Sequence, residues 1–161
     1  MPHPTVDGPR LATVADAVTV AQLLDAFNRE YDDPTPGTDV LAARLERLLA
    51  GGDVIALLVG DPANGLAVLT LRPNAWYDGP VALLDELYVV PELRGGGLGS
   101  ALLAAAERVT RARGGELLEI HVDGDDLDAR RFYERHGYTN REPAETEPLL
   151  YYYRELGERS S

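Results

Sequence analysis

Hydrophobic positions recur along this chain with two periods, near two and near three to four residues, and each change of period marks a predicted boundary. Residues 9–14 predict a short first strand. After Asp16, a residue type that suits an N-cap, Val20, Leu23, Leu24 and Phe27 mark one face of a helix, which "YDDPTPGTD" from Tyr31 breaks. Leu41, Leu45, Leu48 and Leu49 carry a second helix that stops at Gly51-Gly52. Strand patterns follow at residues 53–59 and 65–71, joined through "GDPANG" as a hairpin. After the loop "RPNAWYDGP" the chain is strand-like again over residues 81–90, interrupted by Asp85 and Glu86. Leu98, Leu102, Ala105 and Val109 form the stripe of a helix over residues 98–113, ended by Gly114-Gly115. Residues 116–122 predict a strand, 128–136 a helix and 149–154 a last strand. Antiparallel strands early and one strand-helix-strand crossover late make an α+β pattern.

The 161 residues suit one domain with a real core, between loose ends at residues 1–8 and 157–161. The absence of cysteine removes disulfides, thiolate metal sites and a cysteine nucleophile together, and fits a reducing compartment. No apolar run approaches the ~20 residues of a membrane span, and the opening "MPHPTVDGPR" lacks the apolar region of a secretory signal. A cytoplasmic protein with no membrane partner is expected. A net charge of −12, from 27 acidic and 15 basic residues, disfavours a nucleic-acid partner. It selects no substrate by itself, since acidic surfaces also serve solubility.

The segment with most chemistry in it is "RGGGLGS", Arg94 to Ser100, between a predicted strand and a predicted helix. A helix N-terminus offers unpaired backbone N–H groups and partial positive charge, and glycine lets that backbone approach a phosphate closely. A plain tight turn would use glycines too. The Gly-Lys-Ser/Thr ending of a P-loop is missing, and neither Gly95, Gly97 and Ser100 nor Gly97, Gly99 and Leu102 completes G-x-G-x-x-G.

"LYVVPELRGGGLGSALL" resembles the acyl-CoA-binding signature of GNAT-type N-acetyltransferases, whose Q/R-x-x-G-x-G/A core is met by Arg94, Gly97 and Gly99. "DLDARRFYERHGY", residues 126–138, is similar to a second block of that family through Ala129, Phe132, Tyr133, Gly137 and Tyr138. The resemblance implies a single domain, residues 9–156, with a mixed, mostly antiparallel central sheet flanked by helices. It implies acetyl-CoA as cosubstrate, with no metal, and an amine as acceptor. Backbone from Arg94 through Gly95, Gly96, Gly97, Leu98 and Gly99 to Ser100 would hold the pyrophosphate, and the edge of Leu87, Tyr88 and Val89 would pair with pantetheine. Asp126 stands where the family often has asparagine, and a carboxylate cannot donate the amide hydrogen bond. Arg130 or Arg131 could meet the outer phosphates. Dimerisation is common among such proteins, but no stretch here specifies an interface.

Without a cysteine for an acyl-enzyme, direct attack of the amine on the thioester is the simplest mechanism. A lysine-like amine must first lose a proton, at roughly 4 to 5 kcal/mol near pH 7. Glu86, beside the cofactor edge, is the first candidate base, and His121 the second because imidazole titrates near neutrality. Strict alternation puts Glu86 and Tyr88 on one face and Asp85 and Leu87 on the other. Each candidate base also has a structural reading, as a solvated or packing side chain. Tyr133 is the general acid for the thiolate by resemblance, with packing as its alternative. Acid and aromatic residues at Tyr31, Asp32 and Asp33, at Trp76, Tyr77 and Asp78, and at Tyr151 to Tyr153 suit a cationic acceptor. A catalytically silent acyl-CoA-binding module and a glycine turn with no ligand are the competing readings.

Overall fold

The computed structural model describes residues 8–157, which group into two compact units divided after Ile120. The predicted loose ends lie outside those residues except for Gly8 and Gly157. The first unit is a five-stranded sheet in the order β1 (Arg10–Leu11), β2 (Val54–Val59), β3 (Gly65–Arg72), β4 (Val81–Val89), β5 (Leu117–Ile120). The first four strands are mutually antiparallel and β5 runs parallel to β4. The crossover helix between them is α3 (Leu98–Ala112). The sheet is therefore mixed and mostly antiparallel, and the α+β reading holds.

Two helices precede the hairpin, α1 (Ala17–Glu30) and α2 (Thr38–Gly51). Val20 and Leu23 of α1 are buried, as are Ala42 and Leu45 of α2, and they share one core with Leu58, Leu66, Val68 and Tyr88 of the sheet. Leu58 and Leu66 are fully buried there, and truncating either to alanine costs ~2–5 kcal/mol. Leu48 departs from the predicted face and is 47% exposed, because Leu41, Leu45 and Leu49 hold the stripe one turn apart. Asp16 does not cap the first turn of α1. Its carboxylate reaches back to the Thr13 N–H at 2.8 Å and takes two bonds from the Arg10 guanidinium. The other sheet face packs on α3: a Cβ on Gly65 would meet Val59 and Leu102. Leu102, Leu103, Ala105 and Ala106 are buried there as the α3 stripe requires.

The second unit contains α4 (Leu127–Arg135), whose N-cap Asp126 accepts from the Ala129 N–H at 3.0 Å. The last strand predicted over residues 149–154 is not there. A strand persists only through a ladder, and residues 149–154 join none among the described residues. That segment has no regular structure and is exposed, Tyr152 at 84%.

Candidate active site

The pairing of β4 is uneven along its length. Its ladder to β5 covers only Val81 to Leu84, while β3 follows it to Val89. From Asp85 to Val89 the outer edge of β4 therefore has no strand partner among the described residues. The Val90 N–H donates to the Asn64 carbonyl at 2.9 Å, on the β3 side. Since N–H groups alternate along a strand, those of Leu87 and Val89 point to the open edge. The Val89 carbonyl lies there too, where it accepts from Arg94 Nε at 2.9 Å.

Beyond the edge, a single 3-10 turn, Pro91–Leu93, leads into the glycine run. Gly95 and Gly97 have φ of +83° and +90°, which a residue with a Cβ adopts only under strain. Gly97 is the N-cap of α3, and the first intrahelical bond runs from the Ala101 N–H to the Gly97 carbonyl at 3.0 Å. The N–H groups of Leu98 and Gly99 precede it, at the positive end of a 15-residue helix. The Arg94 side chain is turned the other way. Its Nη2 donates to both oxygens of Glu30, at 2.8 and 2.7 Å, and its guanidinium lies 5.7 Å from the Tyr88 ring centre. Glu30 was invisible to the sequence reading, since nothing local marks a partner 64 positions away.

Glu86 does not obey simple alternation against Asp85. The β3–β4 register skips one residue between Val68↔Glu86 and Leu69↔Leu84, so Asp85 is the extra residue of a β-bulge. Thr70, on the same face of β3 as Val68, donates its hydroxyl to Asp85, which places both acids on the α1 side. Glu86 is half-buried, and burial first, then the charges of Asp85 and Asp33, push its carboxyl up to about 7. Burial likewise raises the phenol of Tyr88. Tyr88 packs edge-on against Phe27 at 5.0 Å, and Phe27 against Tyr31 at 5.4 Å.

The loop after α1 is pinned from within. Asp25 accepts from Arg29 and from Thr35, each at 2.7 Å, and Asn28 holds the Pro34 carbonyl at 2.8 Å. Arg29, Asp32, Asp33 and Thr35 line a shallow open depression there, with Asp33 close enough to Glu86 to affect its ionisation. Tyr31, Asp32, Asp33 and Glu86 are thus brought to one end of the sheet, together with Leu87, Tyr88, Val89 and the glycine loop.

Trp76 and Tyr77 are not brought there. They sit in the β3–β4 connection, at the start of β4, about 17 Å along the strand from Glu86. A Cβ on neighbouring Gly79 would strike the Gly114 carbonyl, at the far end of α3 from its N-cap. A hairpin loop closes the end of its strands opposite to the one where β4 runs free, so these aromatics, 90% and 37% exposed, stand apart from Tyr31 and Asp32. In the second unit, the His121 ring lies against that of Tyr151, tilted by 31° with centres 4.1 Å apart. Tyr133 is half-buried between Phe132, at 5.2 Å, and Tyr138, at 5.9 Å. Arg130 donates to the Gly124 carbonyl at 2.8 Å, and Arg131 is exposed.

The profile of the acetyltransferase (GNAT) family matches residues 20–138. The aminoalkylphosphonate N-acetyltransferase of Salmonella typhimurium is 47% identical over 136 residues, 80% of this chain and 82% of its own. The aminoglycoside N(6')-acetyltransferase type 1 of Stenotrophomonas maltophilia is 32% identical over 146 residues, 89% and 90% of the two chains. The match to the mycothiol acetyltransferase of Beutenbergia cavernae, 39% identical over 85 residues, spans only 27% of that protein's length. A crystal structure of an Arthrobacter sp. FB24 protein classed as an acetyltransferase superposes with a TM-score of 0.90 at 65% identity, covering 97% of this chain and all of that one. With a match over residues 20–138 and an open strand edge running into a glycine-led helix, the chain belongs to the GNAT family of acetyltransferases.

Proposed function

We propose that this protein is an acetyl-CoA-dependent N-acetyltransferase whose acceptor is a cationic amine, on a small molecule or a peptide, attacking the thioester directly. The observation that carries the reading is the juxtaposition, at one end of the sheet, of the open β4 edge, the glycine-led helix and the half-buried carboxyl of Glu86, which burial pushes up. Bound acetyl-CoA would supply the activated acetyl group. The N–H groups at the start of α3 suit its pyrophosphate and those of Leu87 and Val89 suit its amide and thioester carbonyls, so a cationic side chain is not required.

Glu86 is the base in this reading. A carboxyl with an ordinary pKa of 4.5 is a poor acceptor for an ammonium proton, and its rise to about 7 narrows the mismatch by about 3 kcal/mol. The proton passes from the amine nitrogen to a Glu86 oxygen, directly or through water. By resemblance to the family, Tyr133 is the residue assigned to give a proton to the departing thiolate sulfur. His121, exposed and in ring contact with Tyr151, is the weaker candidate for the base. Asp32 and Asp33 would attract a cationic acceptor, with Tyr31 offering a ring face. The aminoglycoside-acetylating relative acts on a polycation and fits this lining better than the aminoalkylphosphonate one.

Thiol release from acetyl-CoA across polyamines, aminoglycosides, amino acids, aminoalkylphosphonates and basic peptides tests the proposal. The protein has no cysteine, so its own background is nil. Turnover with cationic amines is expected. Acetyl-CoA binding without turnover on any amine would favour a silent acyl-CoA-binding module, and turnover confined to anionic acceptors would refute the acceptor class.

A further inference from the structure

We infer that Glu30 is a positioning residue for the glycine loop, acting through Arg94, and that the Arg94 guanidinium braces the site and does not bind phosphate. The inference rests on the acyl-CoA reading proposed above. Arg94 is held from three directions: by both oxygens of Glu30 at the end of α1, by the Val89 carbonyl at the end of β4, and by the face of the Tyr88 ring. A guanidinium whose Nη2 is shared between both oxygens of a carboxylate, whose Nε is spent on a backbone carbonyl and whose plane lies over a ring is a restrained joint, not a mobile cation awaiting an anion.

The place of the joint gives it a use. Arg94 is the last residue before three glycines, two of them at positive φ. Glycine loses more conformational freedom on ordering than any other residue, so tethering the entry to the run lowers what a ligand must spend to order it. Glu30 is the last residue of α1, and the next three are Tyr31, Asp32 and Asp33. The ion pair and the ring series Tyr31–Phe27–Tyr88 therefore join the acceptor loop to the mouth of the phosphate site along two parallel paths. Were Arg94 to turn towards a pyrophosphate, the Glu30 carboxylate would be left unpaired beside it.

Glu30→Gln separates the two roles by sign. If Arg94 were a phosphate ligand restrained by Glu30, removing the carboxylate would release a cation and delete an anion, and CoA would bind more tightly. As a brace, the pair is broken and CoA binding weakens three- to tenfold. The experiment is calorimetric titration of CoA into wild type, Glu30→Gln, Arg94→Lys and the double variant, with amide hydrogen exchange of residues 95–99 in the unliganded proteins. Both single variants are expected to bind more weakly and exchange faster in the loop, and the double variant to be no worse than the weaker single. With both substrates saturating, kcat of Glu30→Gln should stay within twofold of wild type while its KM for acetyl-CoA rises. Because the pair is partly exposed, at 42% and 25%, the variants should fold. If Glu30→Gln nevertheless fails to fold, Arg94→Lys decides alone, and wild-type CoA affinity with wild-type loop exchange overturns the brace. Equal or tighter CoA binding by Glu30→Gln overturns it while leaving the function standing. A wild type that binds no CoA overturns the function, and this inference with it.

Discussion

Replacing Glu86 with glutamine removes a titration from the least solvated acid of the site while keeping its shape. The rise from 4.5 to about 7, at 1.36 kcal/mol per pKa unit, amounts to a folding penalty of about 3 kcal/mol, most of it from burial. The sign follows from proton counting. Below pH 4.5 the carboxyl is protonated in both folded and unfolded chains and costs nothing. Between 4.5 and 7 the unfolded chain loses the proton that the folded one keeps, so stability falls as pH rises, and above 7 the whole penalty is present. Urea unfolding of wild type and Glu86→Gln at pH 5 and pH 8 isolates the effect, because the other carboxylates are common to both. The variant should gain about 2 to 3 kcal/mol relative to wild type between the two pH values. It should also lose the kcat/KM limb near pH 7 and at least a hundredfold in rate. A stability difference that stays flat across that range would refute the burial argument, and an unchanged pH–rate profile would remove Glu86 as the base.

Three further substitutions separate structural from chemical roles. Tyr133→Phe keeps the ring contacts to Phe132 and Tyr138 and removes only the hydroxyl, so turnover should fall tenfold or more while CoA affinity, read by calorimetry, is unchanged. Gly97→Ala puts a Cβ at φ +90° and should cost about 1–2 kcal/mol in urea unfolding together with most CoA binding. Asp126→Asn should leave stability within about 0.5 kcal/mol because asparagine caps as well as aspartate, whereas Asp126→Ala should lose about 1 kcal/mol; equal losses would deny the cap.

The elements legible in the sequence are those whose signals are local. The α3 stripe of Leu98, Leu102, Ala105 and Val109, the hairpin around "GDPANG" and the glycine run each declare themselves within a dozen residues, and each is where the pattern puts it. The failures all depend on distant partners. Residues 149–154 have strand composition but pair with no strand among the described residues. The bulge at Asp85 arises from the β3–β4 register, which alternation along β4 alone cannot show. Trp76 and Tyr77 are acceptor candidates by composition, and only hairpin geometry shows that they stand at the end of the sheet opposite Glu86. Glu30 gained its role only when the fold delivered Arg94 to it.

The central claim, that the open edge of β4 and the mouth of α3 hold an acyl-CoA, is tested most directly by amide hydrogen exchange with and without acetyl-CoA. The account predicts protection concentrated at Leu87, Val89 and residues 95–100, with the β3–β4 loop around Trp76 and Tyr77 unaffected. Binding that leaves those amides unchanged, or that protects the Trp76 end of the sheet instead, would contradict it.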